Sequence, residues 1–217
     1  MGLSTSRSVE IQVINNTEDF TLRNARTYFL SGHSSMSPQT SVSPCSSSSC
    51  KFTNNTIFWG CNGLLAYEAD SFTLAIYFSN PMDHNLFAAE MGLELSLDRV
   101  HRMDLESAYR RLVKSSQSSS DSSMFPCIIL KESQDRAQLS HGPVTVTATM
   151  ARGKSAIIKV EVEERENSGG EAGIGTVLCR RMHPGEVRNR KPFRRTSCTD
   201  PDLQGHPENP EDTPRNH

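Results

Sequence analysis

Two apolar runs separated by a short polar break constrain what this chain can fold into more than any other stretch. The first run is Leu64 to Tyr67, the break is Asp70-Ser71, and the second run is Phe72 to Phe78, which ends at Ser79-Asn80-Pro81. Each run has strand length and turn-forming residues at its ends, so the stretch predicts an antiparallel hairpin. Proline has no amide hydrogen to give to a sheet, so the chain is expected to leave the sheet there. The loop that follows is therefore predicted to project from the end of the hairpin.

Length and charge limit the fold class and the partners. The chain has 217 residues, enough for one domain and a tail. Its formal net charge of -2 gives no overall electrostatic basis for nucleic acid binding, so nucleic acid is not a predicted partner. No apolar run reaches the roughly 18 residues that a membrane-spanning helix needs. Any membrane contact is therefore expected to be peripheral or to require a conformational change.

Alternating apolar residues predict further strands on both sides of the hairpin. These segments are Val9 to Val13, Phe20 to Leu30, Lys51 to Cys61, Leu93 to Leu97, Phe125 to Leu130, and a last hairpin of Val144 to Ala148 and Ala156 to Val162. The lone tryptophan, Trp59, lies in one of them and is expected in the core or on a sheet face. Charged residues alternate with the apolar ones in the last hairpin, which is typical of an antiparallel sheet with one face in water. The chain is thus predicted to be mainly β.

One helix is predicted over residues 104–114. Leu105, Ala108, Tyr109 and Leu112 fall on one helical face, and Asp104 is a suitable N-cap. An apolar stripe of this kind is expected to pack on a sheet.

Three segments have too few apolar residues to order themselves by burial. Residues 33–50 are rich in serine, proline and threonine and are predicted to form a long surface loop, in which Cys45 and Cys50 are close enough to pair in an oxidising compartment, although unpaired thiols are preferred. Residues 115–123 are a predicted linker, and residues 166–217 a predicted disordered tail. The tail carries a basic cluster, which is either a solvated charge run or an attachment to anionic lipid. The cluster consists of Arg180, Arg181, Arg188, Arg190, Lys191, Arg194 and Arg195.

Two sequence signatures carry a family resemblance. The first is Gly63-x-Leu65-Ala66-Tyr67, followed by Thr73-Leu74-Ala75 and Phe78-Ser79-x-Pro81-x-Asp83-x-Asn85, and the second is Asn24-x-x-Thr27-Tyr28-Phe29-x-Ser31-Gly32. In this order and at this separation they resemble the actinoporins, the pore-forming cytolysins of sea anemones, and the actinoporin-like proteins of other animals. The resemblance implies an actinoporin-like β-sandwich over residues 7–165. One or two short helices would flank it, with residues 1–6 as a short extension and 166–217 as the tail.

The resemblance also implies a site for the choline headgroup of phosphatidylcholine or sphingomyelin. Carried over residue by residue, the headgroup-binding residues are Ser31, Ser79, Pro81, Phe87 and Tyr109. Aromatic faces suit this ligand because a quaternary ammonium has no proton to donate. The chain departs from the family pattern at several aromatic or apolar positions of the site, which predicts weakened binding to choline lipids. The departures are Asn62, Leu86, Glu90, Val113 and Lys114.

The expected function is therefore that of a membrane-peripheral, lipid-binding member of the pore-forming cytolysins, with possible self-association on membranes. Only eight residues precede Val9. In the family, a long amphipathic helix precedes the first strand and lines the pore. Because eight residues are too few for such a helix, membrane binding without pore formation is expected. The resemblance implies secretion or a target cell membrane, and because residues 1–7 lack the apolar segment of a secretory signal, the cytoplasm is the alternative location.

The sequence leaves one alternative function open and gives no support to catalysis. The alternative is an intracellular interaction or regulatory protein that uses the sandwich and the basic tail. No nucleophile elbow, phosphate-binding glycine loop or pair of carboxylates on an identifiable cleft is present, so the chain is not predicted to be an enzyme, and no cofactor or metal is implied.

Overall fold

Two β-sheets packed face to face make up most of the chain that the structure describes. The structure is a computed structural model and describes residues 6–54, 59–98, 104–117, 125–130, 134–165 and 177–180. In these ranges the elements are β1 Ser8–Asn15, β2 Leu22–Ser31, β3 His33–Met36, β4 Ser41–Val42, β5 Ser46–Thr53, β6 Cys61–Glu68, β7 Thr73–Asn80, β8 Glu90–Ser96, α1 Leu105–Gln117, β9 Cys127–Leu130, β10 Arg136–His141, β11 Val144–Ala151, β12 Ser155–Glu164 and β13 Val177–Arg180.

The two sheets confirm the predicted β-sandwich. One sheet has the order β13-β10-β11-β12-β1-β5-β3, and the other has the order β4-β2-β6-β7-β8-β9. β1 runs parallel to β12, with Ile11 opposite Ile158, and antiparallel to β5. The main core lies between the sheets, where residues such as Val13, Phe52 and Leu93 are almost fully buried.

The predicted central hairpin is β6 and β7. Its strands are antiparallel, with Gly63 opposite Phe78, and the turn closes with a 2.8 Å hydrogen bond from the Ala69 amide to the Phe72 carbonyl. Nearly every residue of the two strands is buried, because one face packs on the other sheet and α1 covers the opposite face. Burial on both faces explains why the two runs are continuously apolar rather than alternating.

The predicted helix is α1, and its N-cap is the predicted one. The Asp104 carboxylate accepts a 3.0 Å hydrogen bond from the Ser107 amide, which satisfies a backbone donor of the first turn. Ala108, Tyr109 and Leu112 are buried against the sheet and form a second apolar cluster. That cluster also contains Leu64, Ala66, Ala75 and Tyr77. The helix continues to Gln117, into the predicted linker.

The helix also corrects the expected environment of β8. Glu94 alternates with Leu93 and Leu95, a pattern typical of a residue that faces water, yet it is 1% exposed. The Arg111 Nη2 atom lies 2.5 Å from a Glu94 carboxylate oxygen, so a cation from α1 balances the buried charge. The outward face of this sheet is therefore covered at the position where the pattern alone predicted water.

The predicted surface loop over residues 33–50 is wrong, because these residues form β3, β4 and most of β5. Ser48, Cys50 and Phe52 alternate as buried residues along β5, and Cys50 is directly opposite Ile11 of β1. The neighbouring strand supplies the hydrogen bonds and apolar contacts that serine-rich sequence lacks by itself. Cys45 and Cys50 are not joined in a disulfide, and Cys45 is exposed whereas Cys50 is buried.

Two strands near the C-terminal part of the chain were not predicted. β10 pairs antiparallel with β11, and β13 pairs antiparallel with β10, so residues 177–180 of the predicted tail belong to a sheet. Residues 166–176 and 181–217, with the basic cluster apart from Arg180, lie outside the described residues. Among the residues that the structure describes, no helix has both the length and the apolarity needed to cross a membrane.

Candidate functional site

A cleft of about 640 Å³ opens where β7 leads into the loop after Pro81. Its walls are formed by three adjacent strands, the loop, the segment before β6 and two residues of α1. The lining residues are Trp59, Gly60, Asn62, Tyr77, Ser79, Pro81, Met82, Asp83, Leu86, Phe87, Ala88, Glu90, Val113 and Ser116. A cleft of this volume with mixed apolar and polar walls is typical of a small-ligand site.

Three exposed apolar side chains form the rim of the cleft. Leu86 is 73% exposed, Trp59 65% and Phe87 64%, and no other large apolar residue in the described part of the chain exceeds these values. The expectation that Trp59 lies in the core or on a sheet face is wrong, because it stands before β6 with its ring in solvent. Exposed apolar side chains gathered on one surface indicate an interaction site.

The loop after β7 folds into a turn that presents Leu86 and Phe87. The Asp83 carboxylate accepts a 2.8 Å hydrogen bond from the Asn85 amide. The Asp83 carbonyl accepts a 3.0 Å hydrogen bond from the Phe87 amide. These two bonds satisfy polar groups of the loop internally, so its next side chains project outward.

Polar contacts of two side chains, Arg7 and Asn80, attach this loop to the sandwich. Arg7 donates from Nε to the Pro81 carbonyl at 3.0 Å and from Nη2 to the Met82 carbonyl at 2.5 Å. Asn80, fully buried, donates to the carbonyls of Ser8, Gly153 and Lys154. The loop is therefore held in place from the side of the seven-stranded sheet. No pattern in the sequence predicts this role for Arg7.

A row of polar residues crosses the floor of the cleft. Asn62 is directly opposite Ser79, and Ser79 is directly opposite Glu90, so the three side chains share one face of β6, β7 and β8. The Ser79 hydroxyl donates a 2.8 Å hydrogen bond to the Asn62 side-chain oxygen. The row therefore runs from an amide through a hydroxyl to a carboxylate.

Three tyrosine rings packed at an angle to one another lie beside this row. The Tyr77 ring lines the cleft and packs 5.6 Å from Tyr109, which packs 5.4 Å from Tyr28. Burial, with smaller effects from Tyr109 and Glu90, raises the pKa of Tyr77 above its ordinary value of 10. Burial also raises the pKa of Tyr109 to about 12. Both phenols are therefore neutral near pH 7, and their rings support the floor.

The structure brings three of the five predicted site residues to the cleft. Ser79, Pro81 and Phe87 line it directly. Ser31 is not among the lining residues. Its hydroxyl donates a 2.9 Å hydrogen bond to the carbonyl of Gly60, and Gly60 lines the cleft. Tyr109 is 7% exposed and lies behind Tyr77. Ser31 and Tyr109 thus support the walls.

The positions at which the chain departs from the family pattern also meet here. Asn62, Leu86, Glu90 and Val113 line the cleft, whereas Lys114 does not. Sequence reasoning missed Trp59 as a site residue, because its neighbours predicted a strand. The glycine that follows Trp59 was a usable signal. A Cβ atom at Gly60 would collide with the Asn80 carbonyl oxygen, so glycine allows the chain to pass close to the start of the loop and brings Trp59 next to it.

Two acidic residues, Asp83 and Glu90, line the cleft. Among the described residues that line it, none is lysine, arginine or histidine. Within the described part of the chain, no three histidine, cysteine or acidic residues are grouped so that they could hold a metal ion.

Comparison with known proteins supports the architecture. No protein-family model matches the chain, and no curated protein matches it. The crystal structure of the lipid binding protein Nakanori aligns with a TM-score of 0.57 and 13% identity, over 73% of this chain and 71% of that chain. The fold resembles that of Nakanori. The lectin XCL of Xerocomus chrysenteron aligns with a TM-score of 0.42 and 11% identity, over 72% of this chain and 99% of that chain.

The likeness to Nakanori bears on the fold alone. At 13% identity it assigns no role to an individual side chain. What the cleft of this chain can bind therefore has to be argued from its own residues: an apolar rim, an aromatic and polar floor, and two carboxylates.

Proposed function

We propose that this protein is an actinoporin-like, membrane-peripheral lipid-binding protein that holds the choline headgroup of phosphatidylcholine or sphingomyelin in the cleft. The observation that carries the proposal is the exposure of Trp59, Leu86 and Phe87 around one cleft. The fold shared with a lipid binding protein supports it.

The rim has the composition of a membrane-interface surface. Tryptophan is enriched at the boundary between headgroups and acyl chains, where an apolar ring with one polar edge is favoured. Full burial of a side chain the size of leucine or phenylalanine contributes about 2 kcal/mol, so three such side chains suffice for reversible attachment. Because the loop of Leu86 and Phe87 is already fixed by Arg7 and Asn80, little ordering entropy opposes that contact.

The cleft suits the choline end of a lipid. Trp59 and Phe87 stand at its mouth and Tyr77 at its floor. Aromatic faces attract a quaternary ammonium, most strongly where water is excluded. Asp83 and Glu90 add negative charge next to the same space. A protein docked by its rim would therefore have its cleft open toward the headgroup layer.

Vesicle flotation tests the proposal. The full chain is mixed with phosphatidylcholine vesicles, with or without sphingomyelin, and the floated fraction is measured. We expect flotation of the unaltered protein and a several-fold loss for Phe87→Ala, Leu86→Ala and Trp59→Ala. Crosslinking on the vesicles reports self-association, and dye release from the same vesicles reports pore formation as a separate activity.

The chain provides a matched control at the end of β8 that lies away from the cleft. Leu97 is 41% exposed and follows β8, about 23 Å from Glu90 by the rise of a strand. Leu97→Ala should float like the unaltered protein. Absence of flotation, or an equal loss in Leu97→Ala and the rim variants, would overturn the proposal.

A further inference from the structure

The loop after β7 ends at a residue that belongs to the core. Ala89 is buried and packs between the two sheets. Its neighbours in the chain, Ala88 and Glu90, line the cleft, and β8 begins at Glu90. The position of Ala89 therefore determines where the loop rejoins the sheet, directly after the rim residues Leu86 and Phe87.

Arg152 contacts this end of the loop. It lies in the turn between β11 and β12, and its side chain is 18% exposed. The Arg152 Nε atom donates a 3.0 Å hydrogen bond to the Ala89 carbonyl. Its Nη2 atom donates a 3.0 Å hydrogen bond to the Gln134 carbonyl, and its Nη1 atom lies 3.4 Å from an Asp135 carboxylate oxygen. One guanidinium thus joins the end of the loop to the segment before β10.

The same turn also contacts the start of the loop. The Asn80 amide nitrogen, directly before Pro81, donates to the carbonyls of Gly153 and Lys154 at 3.1 and 3.2 Å. Residues 152–154 therefore make hydrogen bonds to both ends of the loop. Arg152 is not one of the described residues that line the cleft, so any effect it has on a ligand acts through the loop.

The chemistry of the guanidinium suits it to this role. An ionised donor makes a stronger hydrogen bond to a carbonyl than a neutral one does. The planar group also holds several acceptors in one fixed geometry, which a lysine ammonium does not. A loop whose two ends are held loses little conformational entropy when it binds, so the contacts of its exposed side chains contribute more to affinity.

We infer that Arg152 is a positioning residue of the membrane-binding loop. Through its hydrogen bond to Ala89 it holds the end of the loop, so that Leu86 and Phe87 are already in place when the protein meets a bilayer. This inference rests on the proposed function for what the loop contacts. The order that Arg152 gives to the loop is measurable without any lipid.

Amide exchange measures the order of the loop in solution. The full chain is exchanged without lipid, and residues 82–90 are followed by mass spectrometry. Arg152→Ala removes all three contacts of the guanidinium and should accelerate exchange in these residues. Asp135→Asn is the matched control, because it removes the charge of one partner and leaves the hydrogen bond to Ala89. Its loop exchange should stay close to that of the unaltered protein.

Vesicle titration measures the consequence for binding. The same proteins are titrated with vesicles of phosphatidylcholine and sphingomyelin, and the floated fraction is recorded. Arg152→Ala should weaken binding about fivefold, the effect of losing one hydrogen bond. Asp135→Asn should bind like the unaltered protein. Arg152→Lys keeps the positive charge next to Asp135, so it provides a milder variant in which part of the lost affinity should return.

The outcomes separate the inference from the proposed function. Unchanged loop exchange in Arg152→Ala and Arg152→Lys overturns the inference, whether or not the protein floats. Equal losses of vesicle affinity in Arg152→Ala and Asp135→Asn also overturn it, because the ion pair and not the Ala89 contact would then set the effect. Faster loop exchange in Arg152→Ala, in a protein that does not float, supports the role of Arg152 in ordering the loop and overturns the membrane proposal.

Discussion

The His84 ring nitrogen Nε2 lies 2.9 Å from the side-chain oxygen of Asn80. The Asn80 amide nitrogen faces three backbone carbonyls, those of Ser8, Gly153 and Lys154, at 2.9 to 3.2 Å. Since only the amide nitrogen can donate to carbonyls, the oxygen must face His84, and His84 donates from Nε2. One buried side chain thus joins the start of β1, the turn before β12 and the loop of the cleft.

Replacing Asn80 by aspartate should destabilise the protein strongly. Asn80→Asp has nearly the same shape but removes the donor that the three carbonyls share and places a carboxylate oxygen against them. We expect a loss of at least about 3 kcal/mol in the free energy of unfolding, measured by urea denaturation. His84→Gln removes only the contact on the other side and should cost less than about 1 kcal/mol. Equal effects of both variants would contradict the assigned role of Asn80.

Arg7 should control the order of the cleft loop more than global stability. Arg7→Ala removes both hydrogen bonds to the Pro81 and Met82 carbonyls. We expect faster amide exchange in residues 82–90, followed by mass spectrometry, and weaker vesicle binding. Arg23→Ala is the control, because its partner Asp70 and Arg23 itself are 74% and 54% exposed, and such pairs contribute little. Unchanged exchange in Arg7→Ala would show that the loop is held by other contacts.

The buried ion pair between α1 and β8 should be sensitive to the loss of one partner. Arg111→Ala removes the guanidinium that faces the Glu94 carboxylate, which is 2% exposed. We expect a loss of about 3 to 5 kcal/mol in urea denaturation. Replacing both residues by leucine should recover most of that loss, because the buried carboxylate is then absent as well.

The control for this pair lies on the same helix. Arg110 pairs with Glu106 at side-chain exposures of 75% and 47%. Arg110→Ala should leave the denaturation midpoint nearly unchanged. A similar shift in Arg110→Ala and Arg111→Ala would mean that helix propensity, and not the buried pair, sets the effect.

The cysteines of the sandwich should differ sharply in reactivity. Cys45 is exposed, whereas Cys50 and Cys61 are buried and burial raises the pKa of each thiol to about 12. At pH 8 we expect iodoacetamide to modify Cys45 rapidly and Cys50 and Cys61 only after unfolding, since the thiolate is the reacting form. Peptide mapping by mass spectrometry measures this. Fast labelling of Cys50 in the native protein would contradict its buried position in β5.

Alkaline conditions should destabilise the fold through its buried tyrosines. Burial raises the pKa of Tyr67 and of Tyr109 from 10 to about 12. The folded state therefore binds more protons than the unfolded state between these values. The stabilisation from keeping the phenols neutral is complete below pH 10 and is lost as the pH rises through about 12. Urea midpoints measured from pH 9 to 12 should fall, and the fall should be smaller in Tyr109→Phe.

Sequence patterns predicted those strands and the helix in which the spacing of apolar residues shows which side chains are buried. The runs of β6 and β7, the stripe of α1 and the alternation of β1 and β12 each identified an element correctly. The serine-rich first part of β5 was missed, although its last residues lie in the strand predicted from Lys51. Serine has little preference for strands, and pairing with β1 supplies the hydrogen bonds and apolar contacts that the serines lack. Glu94 was placed in water because a single strand carries no information about the helix that covers it.

The site was predictable where it lies on the hairpin and its loop. Ser79, Pro81 and Phe87 line the cleft because the end of β7 and the following loop fix their positions. Trp59 and Arg7 come from segments distant in sequence, and only the packing of the two sheets brings them to the same place. Tyr109 is on the apolar stripe of α1, and that stripe accounts for its burial behind the floor.

The parallel pairing of β1 with β12 determines when this protein can finish folding. Ser8 lies opposite Ser155, so the first strand obtains its second neighbour only after almost the whole described sandwich has been synthesised. Until then β1 exposes an unpaired edge of Val9, Ile11 and Val13 on the nascent chain. Products that terminate before residue 155 should therefore aggregate or be degraded instead of surviving as smaller folded forms.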